Sequence, residues 1–231
     1  YHGVRQVFSR DGMRLIGVTM GRDGIDIEEL ARTVANSRPH ILLVTPTFQN
    51  PTGATMPVEA RRELLAIADR FELTVVENDI YTSLRYEGET LPSLKQMDRS
   101  GRVVLLRSFS KIAFPGLRVG WVIGPKSLIA RMAEARQWCD LHTDQLSQAI
   151  MLRFAETGRL GSHLERVRTA GAARLNTALE GCERHLPPGS EYSRPSGGMN
   201  LWVRLPEALD AAQLLPQVQR EQGILNSSLT I

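Results

Sequence analysis

The sequence predicts an α/β fold built on a mostly parallel sheet, and three observations carry that reading. Short apolar runs alternate with longer amphipathic stretches, the signature of strand–helix–strand units. Several of the apolar runs lead into segments rich in Gly, Pro, Asn and Ser, which turn the chain at strand ends. The chain has 231 residues, of which 42% are hydrophobic, enough for a sizeable core without an apolar run of membrane-spanning length.

Taken in order, Gln6–Phe8 and Arg14–Val18 read as a helix followed by a strand. Asp26–Ala35 reads as a helix, with Asp26 as N-cap and Glu29 closing a capping box. His40–Thr45 is a short buried strand that runs into a turn at Asn50. Pro57–Phe71 is amphipathic, with Leu64, Leu65, Ile67 and Ala68 on its apolar face. Leu73–Glu77 and Val103–Leu106 are the next strands, and Trp121–Gly124 reads as a strand of opposite sense. Helices follow over Ser127–Trp138, Thr143–Glu156 and Ser162–His185, then a strand over Met199–Leu205 and a helix over Ala208–Glu221. Trp138, Met199 and Trp202 are expected in the core.

Composition narrows the function classes. The net charge of +3 is spread along the chain without a basic block, so it carries no signal for nucleic acid or a charged membrane surface. Cys139 and Cys182 are isolated and the histidines scattered, which argues against a metal site and for reduced thiols in a cytoplasmic protein.

Lys111 stands out. The chain has only three lysines, Lys95, Lys111 and Lys126, against a large excess of arginine. A lysine in a dry pocket loses its proton and attacks an aldehyde, which arginine does not do. Ser108 and Ser110 precede it at strand-like spacing and Arg118 follows, a set of donors suited to a phosphate. An aldehyde and a phosphate together point to pyridoxal 5'-phosphate (PLP). The candidate sites lie at strand carboxyl ends, where open α/β sheets bind ligands.

The segment from Ser108-Phe109-Ser110-Lys111 to Gly116-Leu117-Arg118-Val119-Gly120 resembles the Schiff-base motif of fold-type I PLP enzymes, the class I/II aminotransferases. Pro46–Gly53 resembles the Asn-Pro-x-Gly turn of the same family, and Val75–Tyr81 its pyridine-contacting strand end. The nearest likeness is to the 2-aminoadipate-type aminotransferases and the aminotransferase-like domains of GntR/MocR regulators.

This resemblance implies a three-layer α/β/α large domain over residues 1–160 and a smaller α+β domain over 161–231, incomplete at both ends. It implies that Lys111 forms the Schiff base and then serves as general base. Asn50 and Tyr81 would donate to the cofactor's phenolic oxygen, Ser108, Ser110 and Arg118 would hold its phosphate, and Tyr1 would stack on its ring. The Asn50-Pro51 bond is a candidate for the cis form.

The usual residue at the pyridine nitrogen is an aspartate, but the position three before Tyr81 is Asn78, with Asp79 beside it. Adjacent strand residues face opposite sides, so only one of the two can meet the ring. Asn78 is the favoured contact and Asp79 the alternative. The implied activity is amino transfer between an α-amino acid and a 2-oxo acid by a homodimer. The alternative is the effector-sensing domain of a MocR-type regulator, whose DNA-binding part would lie outside this segment.

Overall fold

The structure is a computed structural model and describes residues 2–222. In chain order its elements are α1 (His2–Arg10), β1 (Met20–Gly21), β2 (Gly24–Ile25), α2 (Ile27–Ser37), β3 (Ile41–Val44), α3 (Val58–Arg70), β4 (Thr74–Asn78), α4 (Leu94–Met97), β5 (Val103–Ser108), β6 (Gly120–Ile123), α5 (Lys126–Asp140), α6 (Gln145–Glu156), α7 (Arg159–His185), β7 (Glu191–Tyr192), β8 (Val203–Arg204) and α8 (Ala211–Gln222). The main sheet has the order β3-β4-β5-β6, parallel except for the antiparallel β6. The mostly parallel α/β architecture and the reversed strand after the lysine are as the sequence predicts.

Side-chain alternation gives the sheet two unlike faces. Val44, Val75 and Val103 point to one side and pack with Leu30 and Val34 of α2, Leu64 and Ala68 of α3, and Leu94 of α4. That cluster is the main core. On the other side Ile41 and Leu43 are exposed, while Ile129 of α5 lies near Val104. A second, smaller cluster of Phe48, Tyr81, Leu84 and Ile112 packs against Leu164 and Val167 of α7. This cluster joins the strand ends to the long helix, and Arg168 Nε donates to Ser83 O at 2.8 Å in the same contact.

Several local expectations are corrected. Arg14–Val18 forms no strand among the described residues, because it finds no ladder partner and its side chains are largely exposed. Asp26 does cap α2, accepting from Glu29 N at 2.8 Å. Glu29, however, accepts from Thr19 N at 2.9 Å instead of closing the box, which ties the β1–β2 hairpin to the helix. Only Val203–Arg204 of the strand expected over Met199–Leu205 pairs with a neighbour. Trp138 is 86% exposed and Met199 62%, so neither is core. The physical reason for Trp138 is plain in α5, which buries none of its residues.

Candidate active site

The turn between β3 and α3 is built from its roots upward. Pro46 O accepts from Met56 N at 2.8 Å, closing the loop at its base. The guanidinium of Arg61, on α3 and 1% exposed, then bonds to both roots. It donates to Met56 O (2.9 Å), Pro46 O (3.1 Å), Thr47 Oγ1 (2.8 Å) and Pro92 O (2.9 Å). Burial lowers the pKa of Arg61, and the nearby charges of Glu77 and Asp79 work against that shift.

Within the loop, Gly53 N donates to Gln49 O and Gln49 N to Ala54 O. Gly53 has φ +72°, and a Cβ there would lie 2.7 Å from Asn200 O, so the turn needs glycine on both counts. The Asn50-Pro51 bond is cis. Asn50 Nδ2 lies 3.4 Å from the Tyr81 hydroxyl, a long contact that brings both side chains to one place at the ends of β3 and β4.

Across the sheet, β5 delivers the lysine segment. Ser108 Oγ accepts from Ser110 N at 3.0 Å and lies 3.0 Å from Ser110 Oγ. Arg118 Nη1 donates to Ser110 Oγ at 3.3 Å, with its backbone in the left-handed region at φ 54°. Phe48 also lies in the left-handed region at φ 52°, as do Arg38, Glu72 and Leu141.

Ser108, Ser110 and Arg118 line an open depression of about 280 Å³ together with Arg107 and Arg136. Arg107 is paired with Asp79 and Arg136 with Asp140, whereas Arg118 has no carboxylate partner among the described residues. One uncompensated guanidinium beside two hydroxyls suits a phosphate. A larger depression of about 460 Å³ is lined by Phe114, Ile150, Arg153 and Phe154 among others, and its lining includes neither a lysine nor a carboxylate.

Lys111 lies between Ser110 of this cradle and Ile112, which packs with Tyr81 and Phe48. Its own side chain is exposed and makes no hydrogen bond or ion pair among the described residues. The dry surroundings expected of it are therefore not supplied by those residues. Tyr1 lies outside the described residues.

Asn78 and Asp79 part as strand alternation requires. Asn78 Nδ2 donates to Thr45 Oγ1 at 3.2 Å. Asp79 accepts from Arg107 Nε at 2.8 Å and Nη2 at 2.6 Å on one oxygen, and from the Thr82 hydroxyl on the other.

Arg61 and Arg107 are the residues that sequence reasoning passed over. Arg61 sits next to the exposed Arg62 in an ordinary helical pattern, and no spacing separates the two. Arg107 stands inside the lysine motif itself, but its partner lies on another strand.

Comparison with known proteins places the chain in a family. The sequence pattern of class I and II aminotransferases matches residues 4–231. The chain is 35% identical over 224 residues to a 2-aminoadipate transaminase of Thermus thermophilus, covering 96% of this chain and 56% of that protein. It is 30% identical over 230 residues to a probable rhizopine catabolism regulatory protein, MocR, of Rhizobium meliloti, covering 100% of this chain and 46% of that one.

Among solved structures, an α-aminoadipate aminotransferase of Thermus thermophilus, complexed with N-(5'-phosphopyridoxyl)-L-leucine, superposes with a TM-score of 0.91. It is 35% identical, over 96% of this chain and 57% of that one. A kynurenine aminotransferase of Pyrococcus horikoshii gives 0.92 at 33% identity, over 95% of this chain and 56% of that one. The chain thus spans about half the length of the relatives it matches. With a family pattern that runs over nearly all of its length, the chain belongs to the class I and II aminotransferases.

Proposed function

We propose that the protein is a PLP-dependent aminotransferase that moves an amino group between an α-amino acid and a 2-oxo acid. The observations that support this reading are the Asn50–Tyr81 contact and the Ser108–Ser110–Arg118 cradle, with Lys111 next in the chain to Ser110 on one side and, on the other, to Ile112, which packs with Tyr81. When bound, PLP supplies an aldehyde that takes up the substrate amine and a ring that draws electrons from its α-carbon.

The chain's own residues do the rest. Ser108, Ser110 and Arg118 fix the phosphate, with Arg118 contributing the charge. Asn50 and Tyr81 direct hydrogen bonds at the phenolic oxygen and favour its anionic form. Lys111 would hold the aldehyde carbon and would serve as the general base for the substrate's α-proton. Asn78 is assigned to the ring nitrogen.

The test uses full-length protein loaded with PLP. Wild type should show a visible absorbance band and retain the cofactor covalently after borohydride reduction. Lys111→Ala should lose both. A Lys111→Ala protein that still holds the cofactor covalently would refute the assignment. Addition of an amino acid should convert the bound cofactor to its amine form.

A second reading, the effector-sensing domain of a MocR-type regulator, is favoured by the MocR relative that matches the whole chain. It predicts that amino acids alter the spectrum without product formation. We further place a division between a large domain over 1–160 and a small one over 161–231, close to the start of α7. The exposed Trp138, Leu141 and Leu146 support a homodimer, which light scattering would test. The free Cys139 and Cys182 accord with a cytoplasmic location, and no helix among the described residues is long and apolar enough to cross a membrane.

A further inference from the structure

The relation of Asn78 and Asp79 to the cradle follows from strand register. Asn78 pairs with Leu106 across the β4–β5 ladder, and Ser108 lies two residues beyond Leu106. In a parallel pair, side chains in register share a face, and so do residues two apart. Asn78 and Ser108 therefore lie on the same face of the sheet. Asp79 and Arg107, one step along from Asn78 and Leu106, lie on the other. Their contact agrees with this, for Arg107 Nε and Nη2 both reach Asp79 Oδ2.

The Asp79 side chain is 1% exposed, and the Thr82 hydroxyl occupies its second oxygen. A carboxylate so held has no free oxygen to offer a ligand, and turning it round would strand the Arg107 charge. Asn78 makes one bond, to Thr45 Oγ1, and leaves the remainder of its amide without a partner among the described residues. Whichever way that amide is turned, it presents a neutral dipole.

We infer that strand register, which leaves Asp79 on the far face in its pair with Arg107, gives the cofactor's ring nitrogen only the neutral Asn78 to meet, so that it stays unprotonated at neutral pH. This rests on the PLP reading above. A protonated ring nitrogen is held by a charge-assisted bond, and a neutral amide supplies about half that strength. Without the positive charge the ring withdraws electrons weakly, and a proton leaves the substrate's α-carbon slowly. The site then holds an amino acid longer than it transforms it, a property suited to retention of the amine over rapid turnover.

The experiment is ¹⁵N NMR of full-length protein loaded with PLP labelled at the ring nitrogen, together with single-turnover kinetics on an α-amino acid. Wild type should give the shift of an unprotonated pyridine across neutral pH. Asn78→Asp should give the protonated shift and speed the amine half-reaction by about tenfold or more, the effect of one added charge at the ring. Arg107→Gln, which frees Asp79 on the far face, should leave the wild-type ring signal in place.

A protonated ring in wild type overturns the inference. So does an Asn78→Asp protein that binds cofactor yet keeps the wild-type signal, or an Arg107→Gln protein in which the ring becomes protonated. Failure of the PLP reading itself has a different mark, namely the absence of any bound, labelled cofactor in wild type.

Discussion

In the half of the molecule built on β3, β4 and β5, Leu64, Val75 and Val103 are wholly buried, and α2 and α3 each give residues to one continuous core. In the half built on α5, α6 and α7, the only buried residue among those described in the three helices is Met151, while Trp138, Leu146 and Leu152 are exposed. The candidate site straddles the two. Asn50 and Tyr81 stand on the packed half, where a buried arginine and a second core cluster hold the backbone. Lys111 and Arg118 stand at its margin, on short turns with open surroundings. A site divided in this way takes its geometry from one half and needs covering from elsewhere to become dry.

The contrast is sharpened first at Arg61. Arg61→Met strands buried carbonyls at both roots of the Asn50 loop and should cost about 3–5 kcal/mol in urea unfolding. It should weaken cofactor binding as well, and a stable variant with full cofactor affinity would detach the loop's roots from the site. Next come paired leucine truncations. Leu64→Ala should cost about 2–5 kcal/mol, whereas Leu152→Ala should stay within about 0.5 kcal/mol. Equal losses would mean that the α6 face is covered in the full-length protein.

Arg118→Ala removes the uncompensated charge of the cradle. It should lower PLP affinity by about ten- to a hundredfold with little change in unfolding free energy, measured by cofactor titration. A modest effect is expected at Asp98, which caps α4 beside the first residues of β5. Burial raises its carboxyl pKa, but the Val103 and Arg102 N–H groups and the Lys95 ammonium outweigh this and hold it below the usual value. A depressed folded pKa means that the stabilisation is present above about pH 4 and is lost as pH falls through the lower folded value. Asp98→Asn should cost about 1–2 kcal/mol at neutral pH and flatten the acid limb of a stability–pH curve.

Much of the site was legible because its residues lie in short, local strings. Ser108, Ser110 and Lys111 fall within four residues, and the Asn50 turn has a composition that only a sharp bend requires. Helices α2, α3, α6 and α7 were legible from periodicity to within a few residues at most ends. The strand expected at Arg14–Val18 failed because a strand is defined by a partner, which composition does not name. Trp138 was misread for a related reason: a large aromatic residue is buried only if another element arrives to cover it.

The sequence by itself determined the order of strands, turns and helices, and the identities of the groups that gather at the strand ends. Both are written in local periodicity and in short motifs whose chemistry does not depend on distant partners. Tertiary structure alone decided which of Asn78 and Asp79 shares a face with the cradle, and which of Arg61 and Arg62 is buried. Those choices depend on register between strands and on contacts made across long loops, where one residue's shift turns a side chain to the opposite side.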